Sequence, residues 1–105
     1  MKTLKHSFTL YVPSRKGDGS VIDDVLLGSP ASELSYKCGG CTELKGEGCY
    51  INDNGLLMRE KVTLLKAFSV DAISVEEWTH WALYWKHRWE QESLAFEIDN
   101  VMYLI

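Results

Sequence analysis

The chain has 105 residues and a formal net charge of −4, and hydrophobic residues make up 46% of it. This length suffices for one domain with its own core, and the composition is that of globular rather than disordered chains. The acidic balance, with a pI near 5.3, argues against a nucleic-acid or membrane-surface binder, which needs a basic face. We therefore expect a single α+β domain over residues 1–105, without a nucleic-acid or membrane partner.

The cellular location is predicted from apolar runs and cysteines. No apolar run approaches the roughly 20 residues that a membrane span requires. The basic start is followed by Phe8–Val12, which is short and interrupted by a polar residue, so it does not form a secretion signal. Three cysteines, an odd number, fit a reducing compartment better than a disulfide framework. We expect a cytoplasmic protein.

The first elements are a strand and a weaker helix. Phe8–Val12 alternates and is rich in β-forming residues, which predicts a strand. A charged loop follows at Ser14–Ser20, and a helix is predicted within Val21–Tyr36, although Gly28 and Pro30 interrupt its pattern. The apolar residues that would form the buried stripe of this helix are Val21, Ile22, Val25, Leu26 and Leu34.

A hairpin occupies the middle of the chain. Cys41–Ile51 is predicted to be an irregular strand. Asp53-Asn54-Gly55 is typical of a hairpin turn, because Asn and Gly tolerate the positive φ that tight hairpins need. A third strand then runs from Leu56 to about Val70, long enough that we expect a bend or a bulge.

A second helix is the clearest element of the sequence. Ser74 and Glu77 form a capping box at its start, and the pattern runs to about Glu92. Four tryptophans recur at helical spacing on one face, together with Ala82: Trp78, Trp81, Trp85 and Trp89. This stripe is interpreted first as core, with an oligomer interface or a ligand-stacking surface as alternatives.

The order of elements defines the expected fold. Leu94–Ile98 alternates and predicts a fourth strand, while Val101–Ile105 either extends it or forms a further edge strand. The order β-α-β-β-α-β is satisfied by a four-stranded antiparallel sheet with two helices on one face and right-handed crossovers, which is the ferredoxin-like arrangement.

Short motifs along the chain carry a resemblance. These are Leu10-Tyr11-Val12-Pro13, Gly39-Gly40-Cys41-Thr42 followed by Gly46-x-Gly48, and Glu60-Lys61-Val62 after the hairpin turn. With them, the sequence resembles small prokaryotic and phage proteins of the DUF3574 kind. The resemblance implies a ferredoxin-like fold and a phage or mobile-element origin. It implies no activity and transfers no catalytic residue.

The cysteines allow more than one interpretation. Cys38-x-x-Cys41 with Cys49 could supply three zinc ligands, with a histidine as the fourth. A second Cys pair or a His-x-x-x-His is missing, which favours structural thiols, and a redox role would need a lowered thiol pKa. We predict no metal and no cofactor.

The glycine pairs and the polar face of the second helix are also ambiguous. Gly39-Gly40 and Gly46-x-Gly48 would let a ligand approach the backbone, or would serve a bulge or a positive φ. His80, Tyr84 and Arg88 share one helix face, which would bind an anion, supply an acid and a base, or simply meet solvent.

Three functions are compatible with these features. The preferred one is a non-enzymatic small-ligand or partner-binding module that forms a homo-oligomer. In its phage version, it would sequester a host signalling nucleotide or block a host defence protein. The expected contacts, with aromatic rings on a base and cations on phosphate, are Tyr11, Arg15, Thr42, Trp85 and Arg88.

The two alternative functions use other features. One is a protein–protein interaction module with an exposed Trp patch. The other is a small hydrolase or isomerase with His80 or His87 as base beside Glu43 or Glu60. No catalytic residue is assigned, and the preferred function is not enzymatic.

Overall fold

The structure is a computed structural model that describes residues 1–22 and 29–105. Its helices and strands in chain order are β1 His6–Pro13, α1 Pro30–Cys38, β2 Thr42–Ile51, β3 Leu57–Ser69, α2 Val75–Arg88, β4 Ala95–Ile98 and β5 Val101–Leu104. This is an α+β fold, as the order of sequence patterns predicts. No helix within the described ranges is long and apolar enough to span a bilayer.

The sheet has five strands, not the predicted four. Its order is β2-β3-β1-β4-β5, and all neighbouring strands are antiparallel. The added strand follows a tight turn in which Asp99 and Asn100 have φ of 50° and 67°. Such angles are tolerated by Asp and Asn, so the chain reverses there and Val101 pairs with Ile98. The alternative of a further edge strand is therefore the one that the structure has.

One face of the sheet carries the core. The alternating residues Phe8, Leu10 and Val12 of β1 are buried, and their partners across β3 and β4 point the same way. The same core cluster contains Leu34 of α1, Trp78 and Trp85 of α2, and Trp89 directly after α2. Both helices therefore cover this face, which we call the helix face.

The first helix begins later than predicted. Ser29 caps it by accepting a hydrogen bond from the Ser32 amide at 3.2 Å, and Pro30 stands at its first turn, where proline fits without loss. Val21 and Ile22 are not helical, and Val21 instead bridges Arg15 across a loop. Of the predicted stripe, Leu34 is buried in the core, whereas Val25 and Leu26 lie outside the described residues.

The hairpin forms as predicted but without a bulge. The side chain of Asn52 accepts hydrogen bonds from the backbone amides of Asn54 and Leu56, and Gly55 has a φ of 77°. Pairing between β2 and β3 runs in unbroken register from Thr42 to Ile51. The pairing of β1 with β3 ends at Pro13 and Val62, so the hairpin beyond that point projects from the sheet. We call residues 46–61 the arm.

The second helix places its tryptophans in the core. The Ser74 hydroxyl accepts a hydrogen bond from the Glu77 amide at 3.2 Å, as the capping box predicts. The helix ends at Arg88 rather than near Glu92. Three of the four tryptophans are buried against the sheet, and Trp81 is half-buried with its indole N–H donating to the Glu33 carboxylate of α1. The expected exposed Trp patch is therefore wrong.

Candidate functional site

The opposite face of the sheet, which we call the open face, carries the candidate site. Since side chains alternate along a strand, Tyr11 of β1 shares this face with Leu64 of β3 and Leu44 of β2, with which it lies in one row. The large apolar side chains left exposed on this face are Leu44, Tyr50, Met58, Phe68, Met102 and Leu104. An apolar face of this extent marks a surface for binding.

A groove of about 420 Å³ crosses the open face between the arm and the end of the sheet. Its walls include Tyr11, Leu44, Leu64, Tyr50 and Leu104, so we call it the aromatic groove. Gly46 also lines it, and a Cβ added there would meet no atom within 4 Å. Its volume lies in the range of small-molecule sites.

Two tyrosines of the aromatic groove form hydrogen bonds with carboxylates. The Tyr11 hydroxyl donates to Glu97 at 3.0 Å, and the Tyr50 hydroxyl donates to Glu60 at 3.3 Å. Burial, followed by the Glu97 bond, raises the pKa of Tyr11, while the charge of Glu60 raises the pKa of Tyr50. Both tyrosines are therefore neutral phenols near pH 7, and the carboxylates that accept their hydrogen bonds bring negative charge to this face.

A second, charged groove adjoins the aromatic one. It has a volume of about 1250 Å³ and shares Tyr50, Glu60 and Lys61 with its neighbour. Its other charged residues are Arg15, Lys16, Arg59, Glu90 and Glu92. Charges of both signs thus line one groove that continues into an aromatic one.

The loop that carries Arg15 is fixed to the end of α2. The Gly17 amide donates to the Trp89 carbonyl at 3.1 Å, and the Gln91 side chain donates to the Arg15 carbonyl at 2.9 Å. A Cβ at Gly17 would lie 2.5 Å from the Glu90 carbonyl oxygen, so only glycine permits this approach. Arg15 itself donates to the Gly19 carbonyl at 2.9 Å. The cation is therefore held at the rim of the charged groove.

A third groove, of about 500 Å³, lies at the end of the hairpin opposite its turn, where β2 begins and β3 ends. Lys2, Lys37 and Lys66 line it together with Thr42, so we call it the basic groove. Gly39 closes α1 there with φ of 87°, which explains one of the predicted glycines as a helix cap.

The predicted contact residues fall in different places. Tyr11 lines the aromatic groove and Arg15 the adjoining charged groove, whereas Thr42 lies in the basic groove. Trp85 is buried in the core, and Arg88 stacks over its ring at 6.0 Å. The structure thus places two of the five predicted residues, Tyr11 and Arg15, in adjoining grooves.

The histidines of the enzyme hypothesis lie outside the three grooves. His80 and His87 are exposed on α2, and neither lines any of the three grooves. Glu60, in contrast, lies where the aromatic and charged grooves meet. Within residues 1–22 and 29–105, no group of three or more His, Cys, Asp or Glu side chains is placed to hold a metal ion.

Tyr50 and the role of Glu97 were missed by the sequence analysis, whereas Glu60 was considered as a partner for histidine but not for Tyr50. The sequence signal that could have identified them is the alternation of side chains along a strand. Once the hairpin register is known, this alternation places Tyr50 and Glu60 on one face. That register follows from the Asn52–Gly55 turn.

Comparisons with known proteins give a fold relationship. No family model and no curated protein sequence matches the chain. Two solved structures match it. One is a phage SAM lyase in complex with S-methyl-5'-thioadenosine, with 16% identity and a TM-score of 0.68. The other is a phage SAM lyase in the apo state, with 18% identity and a TM-score of 0.64. The matches cover all of this chain and 92% and 94% of those chains. At this identity, the likeness shows the fold.

Proposed function

We propose that the protein binds S-adenosylmethionine in the continuous aromatic and charged grooves and cleaves it as a lyase. The observation that carries the proposal is the site at the junction of the grooves, where Tyr50 and Glu60 bring an aromatic ring and a carboxylate to one point. The likeness to phage SAM lyases over the full chain supports it. A phage origin fits the same neighbours.

The chemistry of the ligand matches the grooves. The adenine ring is flat and weakly polar, so it suits the apolar and tyrosine-lined aromatic groove. The sulfonium is a cation, which a carboxylate and the face of an aromatic ring both attract. Glu60 and Tyr50 lie where the two grooves meet, which is where the sulfonium would sit if adenine filled the aromatic groove.

A lyase needs no water for this reaction. Breaking the bond between the sulfonium sulfur and Cγ of the methionine part leaves the bond electrons on sulfur, which becomes the neutral thioether of methylthioadenosine. This bond breaks as the carboxylate oxygen of the same methionine part attacks Cγ, which gives a lactone, or as a carboxylate such as Glu60 takes a β-proton, which gives vinylglycine and a protonated carboxyl group. Exclusion of water from the reacting atoms by the bound substrate would favour either route over hydrolysis.

The first test is to mix the purified protein with S-adenosylmethionine and to measure methylthioadenosine and the four-carbon product by mass spectrometry. We expect release of methylthioadenosine with a lactone or vinylglycine. Glu60→Gln, which keeps the shape but removes the charge, should lower the rate at least tenfold. Hydrolysis to homoserine from the start of the reaction would contradict the lyase assignment.

Two glycine variants form a matched pair. Gly46→Leu adds a side chain over open space in the aromatic groove, and Gly40→Leu does the same in the basic groove. We expect Gly46→Leu to abolish turnover and nucleoside binding and Gly40→Leu to leave both unchanged. Loss of binding in the second variant only would move the site to the basic groove. If neither turnover nor nucleoside binding is detected in the native protein, the proposed function fails.

Binding without turnover would identify the protein as a sequestering module for an adenosine-type ligand. That is the non-enzymatic function expected from the sequence, and it uses the same groove. The lyase is preferred because a carboxylate beside the expected sulfonium position gives the groove a group suited to the reacting atom, which simple capture of a neutral nucleoside does not need.

We also propose that the fold is ferredoxin-like and that the protein is a homo-oligomer. The order β2-β3-β1-β4 within the sheet supports the first proposal. The arm supports the second, since Ile51, Leu56 and Leu57 are exposed on a two-stranded projection that a second copy would cover. Leu57→Lys should shift the native mass spectrum from oligomer to monomer, and a monomeric native protein would contradict the proposal.

A further inference from the structure

We propose that the charged groove is the subsite for the amino-acid end of the substrate, and that Arg15 binds its α-carboxylate. This inference rests on the proposed function and assigns the direction in which the ligand lies. The nucleoside would fill the aromatic groove, the sulfonium would sit at the junction, and the α-carboxylate and α-ammonium would enter the charged groove.

The first argument is complementarity of charge along the two grooves. Charged residues also line the aromatic groove, but its apolar side chains, such as Leu44 and Leu64, suit an uncharged ring. The charged groove has fewer apolar side chains and is lined by Arg15 and Lys16 together with Glu90 and Glu92. An amino-acid end carries one negative and one positive group on the same carbon. A lining with both signs fits this zwitterion better than it fits a phosphate, which cations alone would serve.

The second argument is the way in which Arg15 is held. Its main-chain carbonyl accepts from Gln91, and its guanidinium donates to the Gly19 carbonyl. The neighbouring Gly17 is fixed against the end of α2 with no room for a side chain. A positioned guanidinium binds a carboxylate with less loss of side-chain freedom, because its planar fork presents several N–H donors in fixed geometry.

The third argument is the consequence for product release. Methylthioadenosine lacks both the amino-acid end and the sulfonium charge, so it would contact the aromatic groove alone. The substrate would contact both grooves. The protein would therefore hold its substrate more tightly than its nucleoside product, which favours turnover.

The experiment compares three ligands by calorimetry: S-adenosylmethionine, S-adenosylhomocysteine and methylthioadenosine. S-adenosylhomocysteine keeps the amino-acid end without the sulfonium charge, and methylthioadenosine lacks both. For Arg15→Gln we expect at least a tenfold loss of affinity for the first two ligands and less than a twofold change for methylthioadenosine. Arg15→Lys, which keeps the charge but not the fork, should lie between the native protein and Arg15→Gln.

The matched control is Arg88→Gln, since Arg88 stacks on Trp85 and lines none of the three grooves. We expect it to bind all three ligands as the native protein does. Equal losses for all three ligands in Arg15→Gln, or no loss for any, would overturn the inference. Unchanged methylthioadenosine binding also reports that the variant is folded. If the native protein binds none of the ligands, the proposed function fails first, and the two failures are thus distinguished.

Discussion

The two faces of the sheet are built from the same strands but differ in burial. On the helix face, Phe8, Leu10 and Phe96 are fully buried under two helices. On the open face, Thr9 is also buried, but Tyr11, Leu44 and Leu64 line the aromatic groove. The difference indicates that one set of alternating residues stabilises the fold and that the other set is left for binding.

The largest expected effect lies on the helix face. Phe8 contacts Trp78 with ring centroids 4.4 Å apart and Phe96 at 5.7 Å. We expect Phe8→Ala to lower the free energy of unfolding by about 3–5 kcal/mol, because it removes a buried ring and leaves a cavity. Urea denaturation followed by tryptophan fluorescence measures this change.

The matched control is on the open face. Phe68 is 45% exposed, so Phe68→Ala should cost about 1–1.5 kcal/mol, roughly half of the value for a fully buried phenylalanine. Similar losses in both variants would mean that the open face is also packed, for instance by a second copy, and would break the contrast between the faces.

The sequence predicts the helix face better than the open face, and the reason is physical. The period of the tryptophans, the capping box at Ser74 and the Asn-Gly turn are local signals, and the structure confirms α2 and the hairpin that they predict. Local signals also mark which residues are apolar. They do not say where a sheet ends, so the turn at Asp99 and Asn100 was not identified and the fifth strand stayed an alternative.

The site was harder to predict than the fold. Tyr11 and Arg15 were selected by residue type and lie in adjoining grooves, but Trp85 was selected by the same reasoning and is core. Residue type does not show which face a side chain occupies. Tyr50 and Glu60 meet only when two strands pair in one register. Their hydrogen bond is therefore a tertiary contact, which cannot be predicted from either strand alone.

A smaller effect is expected where the two helices meet over the core. The Trp81 indole N–H donates to Glu33, which joins α2 to α1. Glu33→Ala should lower the free energy of unfolding by about 1.5 kcal/mol, near the low end for a hydrogen bond to a charged group, because Trp81 is half-buried. Chemical denaturation gives the value.

Glu33→Gln is the control for that contact, since its amide oxygen also accepts a hydrogen bond. It should recover about half of the loss. If Gln and Ala variants are equally destabilised, the contribution of Glu33 comes from its charge near the start of α1 rather than from the bond to Trp81.

The smallest expected effect is a pH dependence at the edge of the sheet. The Ser7 amide donates to Asp99 at 3.0 Å, and His6 lies 3.2 Å from the same carboxylate. The Ser7 amide, followed by His6, lowers the pKa of Asp99 below its ordinary value of 3.8. A carboxylate with a lowered folded-state pKa stabilises the fold above its unfolded pKa, and this stabilisation is lost as the pH falls through the folded value.

Asp99→Asn tests this linkage and keeps the turn, because Asn also tolerates positive φ. The urea midpoint of the native protein should fall further between pH 6 and about pH 3 than that of Asp99→Asn, since only the native protein can lose the Asp99 contribution by protonation. Equal falls would show that the Ser7 and His6 contacts do not distinguish the charged carboxylate from its neutral form. Because Asp99 lies in the turn at the end of β4, away from the grooves, nucleoside binding should be the same in both proteins. A change in binding would instead couple the sheet edge to the open face.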